Sequence, residues 1–361
     1  MISGIGIAMP GAIGAEALLA HLRSAALCTR DTGAIDEAAI LHLLNARRVR
    51  RMSDYVKLTL AATALALADA GLTVSPLTES ASAILGSTHG SSNYSSVYYK
   101  QLVEQGIIGA NPMLFAEGVP NAGAAHLSLM LSIKGACQTV IGSRTAGLDA
   151  LRLASVRIAS GQWDRAIVSA GEEYCEMVNA AYGHCGLYAG RGGGGALDGS
   201  GFVVGAGAVT LVLESAEALR QRGGRSHGRI LACTSARSLD RSSVEPARQV
   251  LEELAERNYV ISSANNTHID RIEAAAIRKS APQAVTSMLY GRFPETFSAG
   301  PLAAVATLLL SRRMPRAVTG QPGLRLASGS EQPAQCAVLC SDYHGLAAGV
   351  RIALSDSREG A

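Results

Sequence analysis

Thr139–Leu151 reads TVIGSRTAGLDAL. An apolar strand runs into a tight Gly/Ser turn, and an amphipathic helix leaves it. This geometry exposes one side chain over a helix N-terminus, where the dipole favours negative charge and activates a thiolate or an alkoxide. Here the tip residue is Arg144. A cation at that place is disfavoured by up to about 1 kcal/mol, and arginine is neither a nucleophile nor, at neutral pH, a general base. Ser143 and Thr145 flank it, but a reactive serine needs an adjacent base, and nothing in the sequence supplies one. The stretch is a nucleophile turn without its nucleophile.

Around it the chain alternates strands and helices. Strands are expected at Ile2–Ile7, Ser82–Gly86, Arg165–Ser169, within Phe202–Leu213, and at Arg229–Thr234, His268–Ala274, Cys336–Cys340 and Gly349–Leu354. Helices are expected at Ala15–Ala25, Ser53–Leu72 with Gly71 as its stop, Leu148–Ser160, Glu214–Arg222, Pro246–Arg257 and Leu302–Ser311. This alternation argues an α/β protein with buried sheets. Its length of 361 residues is a prior for two or three domain-sized units. Residues 1–225 and 226–361 read as two α/β halves, although residue identity reveals no internal repeat. The 39 glycines are about 11% of the chain, against about 7% in ordinary domains, and aromatics reach only 4%. Such a core packs helices closely on sheets.

Composition excludes several classes. A net charge of +3 without a basic block is poor for nucleic-acid binding, and RRVRR at Arg47–Arg51 reads as a solvated face. No apolar run approaches the length of a membrane span. The opening MISGIGIAMPG lacks a charged start and a long apolar stretch, so no signal peptide is expected. Seven scattered cysteines without a CxxC pair fit free thiols in a reducing cytoplasm, with neither disulfides nor a metal site. The glycine-rich Ala189–Gly201 reads as a loop, because GRGGGG lacks the Lys-Ser/Thr ending of a phosphate loop. His126 reads as structural, and adjacency of His184 to Cys185 does not make their side chains face one another. No cofactor is expected.

ISGIGIAMPG, RRMSDYVKLTLAATALALADAGL, VPNAGAAHLSLMLSIKGACQTV, VSAGEE and GFVVGAGAVTLVLE together resemble the β-ketoacyl synthases of the thiolase fold. The resemblance implies two related α/β halves in an αβαβα layered arrangement. Arg144 stands where that family has its nucleophilic Cys. The two catalytic histidines correspond to Ala275, in RIEAAAI, and Phe297, in ETFSAGPLA. The catalytic-site Lys corresponds to Arg292, and the GEGA acid to Ala206; the GFGG loop reads YHGL at Tyr343–Leu346. RTAGLDAL resembles the chain-length factor subunits of type II polyketide synthases, which keep the fold and replace the Cys, commonly by Gln. Such a subunit forms a heterodimer with an active ketosynthase, receives the growing chain from an acyl carrier protein and shapes the tunnel that limits its length.

The resemblance also gives expectations for surfaces. Tyr94–Val103 is similar to the chain-length-gating segment, and Tyr94, Val97, Tyr98 and Gln101 share one helical face at i, i+3, i+4 and i+7. They line the tunnel or simply pack at an interface or core. The strand Gly135–Ile141 is expected to pair with its twin across a two-fold axis, with Gly135, Cys137, Thr139 and Ile141 at the interface. A divergent acyltransferase with a non-Cys nucleophile, and a scaffold unrelated to polyketide length, remain alternative readings.

Overall fold

The computed structural model describes residues 1–24, 27–28, 33–73, 79–187, 201–255, 257–318 and 323–355. Apart from Gly201, the expected Ala189–Gly201 loop lies outside the described residues. The strands are β1 (Ile2–Met9), β2 (Ala12–Ile13), β3 (Ser82–Ser87), β4 (Cys137–Ile141), β5 (Arg165–Glu172), β6 (Gly207–Glu214), β7 (Gly228–Arg237), β8 (Tyr259–Ser262), β9 (Val285–Met288), β10 (Arg325–Leu326), β11 (Gln335–Ser341) and β12 (Leu346–Leu354). The principal helices are α1 (Ala15–Arg23), α2 (Asp54–Asp69), α3 (Ser92–Gln105), α4 (Pro112–Gly118), α5 (Ala122–Leu131), α6 (Ala146–Ala159), α7 (Glu176–His184), α8 (Glu245–Glu253), α9 (His268–Ser280) and α10 (Ala299–Ser311).

The strand order contains a repeat that residue identity conceals. From β1 outward, β1-β6-β5-β3-β4 pair antiparallel, antiparallel, parallel and parallel. From β7 outward, β7-β12-β11-β8-β9 pair in the same succession. In both runs the strand that comes first in the chain lies beside the one that comes last. β2 on β1 and β10 on β9 are additions to this plan. The runs meet where β1 touches β7, at Ile2 and Gly228.

Helices fill the spaces that the sheets leave. α2 covers β1, β6 and β5 from outside, and α8 and α9 cover the second run. α6 and α10 lie between, each touching strands of both runs. This gives the αβαβα layering. α10, AGPLAAVATLLLS, is apolar nearly all round and buried along its length, as a helix enclosed on every side must be. α2 starts at the Ser53 cap, whose side chain accepts from Val56 N–H. Its contact with β1 explains the glycine and alanine content: a Cβ on Gly6 falls 1.8 Å from the Ala62 carbonyl oxygen.

One expected element is wrong in kind. His268–Ala274 is not a strand but the first half of α9. Ile269, Ile272, Glu273, Ala276 and Ile277 are buried at helical spacing, and the Thr267 side chain caps the helix by accepting from Ile269 N–H. The short apolar run concealed that period, and the strand of this region is β8. Among the described residues, no helix is long and apolar enough to cross a membrane.

Candidate functional site

The two central helices begin at the same point. A Cβ on Gly147, in the first turn of α6, falls 2.2 Å from the carbonyl of Ser298, just ahead of α10, so only glycine permits this approach. Strand β4 delivers Arg144 to the start of α6, and β8 and β11 end at Ser262 and Ser341 beside it. Both helix N-termini therefore point at one place, which is where a nucleophile turn is expected to present its tip.

Arg144 occupies that place and is 4% exposed. Its guanidinium donates to Glu295 Oε2, to the Ser263 carbonyl and to the Ser341 carbonyl, each at 2.7 Å. A longer bond of 3.3 Å reaches Ser263 Oγ, and the charge lies 5.7 Å from the Tyr343 ring centroid. Glu295 is fully used: Oε2 also accepts from Asn265 Nδ2 at 2.6 Å, and Oε1 accepts from Phe297 N–H at 2.8 Å. Asn265 Nδ2 lies 2.6 Å from Tyr343 Oη. Burial opposes the charge on Arg144, but its surroundings, Glu295 foremost, together outweigh it and hold the guanidinium protonated well above the usual range. The misfit of a cation at a helix N-terminus is thus removed by a buried carboxylate. Cys340, one residue before Ser341, does not replace the missing nucleophile, because burial pushes its thiol up to about 12.

Phe297 is 1% exposed and closes the other side. Its ring stacks on Tyr182 at 5.0 Å between centroids and meets His89 and Phe202 edge-on. Its φ of 44° is left-handed, which costs a non-glycine residue on the order of 1 kcal/mol or more. His89 Nε2 is 3.1 Å from Tyr182 Oη, and Glu172 accepts from the backbone N–H groups of Thr88 and His89. A cavity of about 50 Å³ remains beside Arg144, too small for an acyl chain. Outside it opens a cleft of about 540 Å³ lined by Ser143, Arg144, Tyr182, Arg237, Tyr343 and His344, among others.

The residues expected from the sequence are only partly brought together. Arg144 and Phe297 face one site, bridged by Glu295. Ala275 is not part of it; it lies in the middle of α9, and the group at the end of β8 that meets Arg144 is Ser263. Ala206 is buried, with its N–H bonded to the Gly33 carbonyl at 2.6 Å. Arg292 turns away to donate to the Ser24 carbonyl. Tyr94, Val97, Tyr98 and Gln101 lie on α3 and line neither the cavity nor the cleft at Arg144. Tyr94 Oη donates to the Arg51 carbonyl, and Tyr98 packs on Tyr99 and Phe115. Cys137, Thr139 and Ile141 belong to β4, and Gly135 precedes it. The partners of Arg144 are absent from the sequence reading. Only Glu295, two residues before Phe297, carried a signal, as an acid inside a segment already aligned.

Sequence comparison matches residues 38–218 to the family described as "Beta-ketoacyl synthase, N-terminal domain". Proteins named polyketide beta-ketoacyl synthase 1 from Streptomyces halstedii and Streptomyces cyaneus are each 27% identical, covering 78% and 77% of this chain and 76% of their own lengths. Among solved structures, the ishigamide ketosynthase/chain length factor superposes with a TM-score of 0.85 at 18% identity, over 98% of both chains. A β-ketoacyl synthase from Burkholderia phymatum STM815 gives 0.84 at 17% identity, over 98% of this chain and 99% of its own. A type II polyketide synthase acyl-carrier protein in complex with its ketosynthase gives 0.83 at 16%, over 98% of both. A family match across half of the chain, a doubled five-strand plan and a turn set between two helix N-termini agree: the chain belongs to the β-ketoacyl synthase family.

Proposed function

We propose that this chain is a non-condensing, chain-length-factor subunit that pairs with an active ketosynthase and receives the growing polyketide from an acyl carrier protein. One observation carries the reading. Where condensation needs a thiol and two imidazoles, this chain has an arginine locked to a buried glutamate and a phenylalanine packed among aromatic rings. Arg144 cannot accept an acyl group. The likeness to a solved ketosynthase/chain length factor agrees with this, as does the relatives' polyketide naming.

The pairing surface follows from β4, which among the described residues bonds only β3 and leaves its other edge open. Exposed apolar side chains stand on β4 (Ile141), on α5 that packs against it (Leu129) and on the preceding segment (Val103, Ile107, Ile108 and Phe115). An open edge beside an apolar face calls for a strand from another chain. α3 carries Val103 and leads into Ile107 and Ile108, and on this reading Tyr94, Val97, Tyr98 and Gln101 meet the tunnel only in the complex. The acyltransferase alternative rests on Ser143, whose hydroxyl bonds Thr145 Oγ1 at 3.3 Å, which in turn donates to Asp149. That chain contains no imidazole to take the serine proton.

Purified alone with a malonyl carrier protein, the chain is expected to give no product. Co-expressed with a Cys-bearing ketosynthase, it is expected to co-purify as a 1:1 complex and to support chain extension. Turnover by the isolated chain that Ser143→Ala abolishes would overturn the reading in favour of an acyltransferase.

A further inference from the structure

A second cleft, of about 790 Å³, opens beside α1, the end of α10 and the segment that follows α10. Arg23, Arg292, Arg313 and Arg316 line it. Arg292 is the informative member. It is 8% exposed, its Nη1 donates to the Ser24 carbonyl at 2.9 Å, and its Nε is buried without a partner. The arginine ion pairs among the described residues belong to Arg144, Arg152, Arg165, Arg220, Arg222 and Arg248, so none of the four has an acid partner there. The acid of the adjoining turn, Glu331, is held by Ser328 and Gly329 N–H groups at 3.0 Å each. Burial and the neighbouring Arg316 both push Arg292 below its usual range. A buried cation facing another cation weakens the fold, and an anion in the cleft reverses that.

The rest of the lining limits what the anion is attached to. Leu19, Leu22, Leu27, Leu310 and Met314 also line it, and the volume far exceeds that of a single oxyanion. Several guanidinium forks match a dianion with three terminal oxygens better than a single carboxylate. We propose that this cleft binds a phosphate monoester carrying an aliphatic chain, with Arg292 and Arg316 on the phosphate and the leucines on the chain. The site is separate from the Arg144 network, and binding there does not depend on the pairing or the condensation chemistry of the complex.

The test is calorimetric titration of the full-length chain with octyl phosphate, inorganic phosphate, octanoate and 1-octanol. Octyl phosphate is expected to bind saturably, inorganic phosphate about tenfold or more weakly, and octanoate and octanol weakest. Arg316→Gln and Arg313→Gln, both at exposed positions, are expected to weaken octyl phosphate by about tenfold each while the far-ultraviolet circular dichroism stays unchanged. Arg292→Met is expected to abolish binding and to raise the melting temperature of the free chain, because it removes an uncompensated buried charge. Absence of saturable octyl phosphate binding, or affinity unchanged in Arg316→Gln, overturns the proposal. Equal affinity for octanoate overturns the dianion, and equal affinity for inorganic phosphate overturns the aliphatic half.

Discussion

Arg144 and Glu295 are each buried to about the same degree, with side chains 5% exposed, and form an ion pair at 2.7 Å. Replacing a buried pair by apolar groups is often neutral, whereas removing one partner costs about 3–5 kcal/mol. Arg144→Cys therefore places a thiol at the tip of the turn and leaves Glu295 without its counter-ion. The variant is expected to lose about 3–5 kcal/mol in urea denaturation and, on the function proposed above, still to show no condensation, because Phe297 closes the site. Arg144→Met with Glu295→Gln is expected to recover most of that loss. Condensation by Arg144→Cys alone would show that the turn lacks only its nucleophile. The sequence made the tip residue legible, because a strand, a Gly/Ser turn and a helix are local signals. It left Glu295, Ser263 and Ser341 dark, because their meeting with Arg144 spans 119 to 197 residues.

At the scale of elements, β4 is an exposed edge strand, with residues Cys137–Ile141 open or half-open to solvent. A substitution on this face touches little inside the monomer. Leu129→Asp and Ile141→Asp, at positions 73% and 61% exposed, are expected to change monomer stability by no more than about 0.5 kcal/mol. Both are expected to abolish association with a ketosynthase in sedimentation velocity. A stable complex with both variants would remove β4 and α5 from the interface. Most helices and strands were readable here from period and caps. α9 was not: its buried positions alternate with Arg271 and Asp270 in a run too short for a helical period to stand out from an apolar strand.

For the molecule as a whole, the decisive layer is the middle one. The largest buried cluster joins Ile7, Leu211 and Leu302 to Val338 and Ile352, so each half completes the other's core. The unfolding of the chain is expected to be a single transition, because neither sheet keeps a covered inner face without α6 and α10. Fluorescence of the sole tryptophan, Trp163 in the first half, and far-ultraviolet circular dichroism are expected to trace the same urea midpoint. Two resolved midpoints would mean that the halves are separate folding units. The repeat itself was illegible in the residues, since pairing succession is preserved by backbone hydrogen bonds and side-chain identity is free to drift.

The Arg144–Glu295 pair has a historical consequence. A lineage that carries it stands in a valley-bound position. Each single step away from the pair first passes through a less stable protein, with one charge sealed inside without its counter-ion. Descendants of this chain drift more readily along its surface and cleft than at this pair, because a change there has to replace both members together.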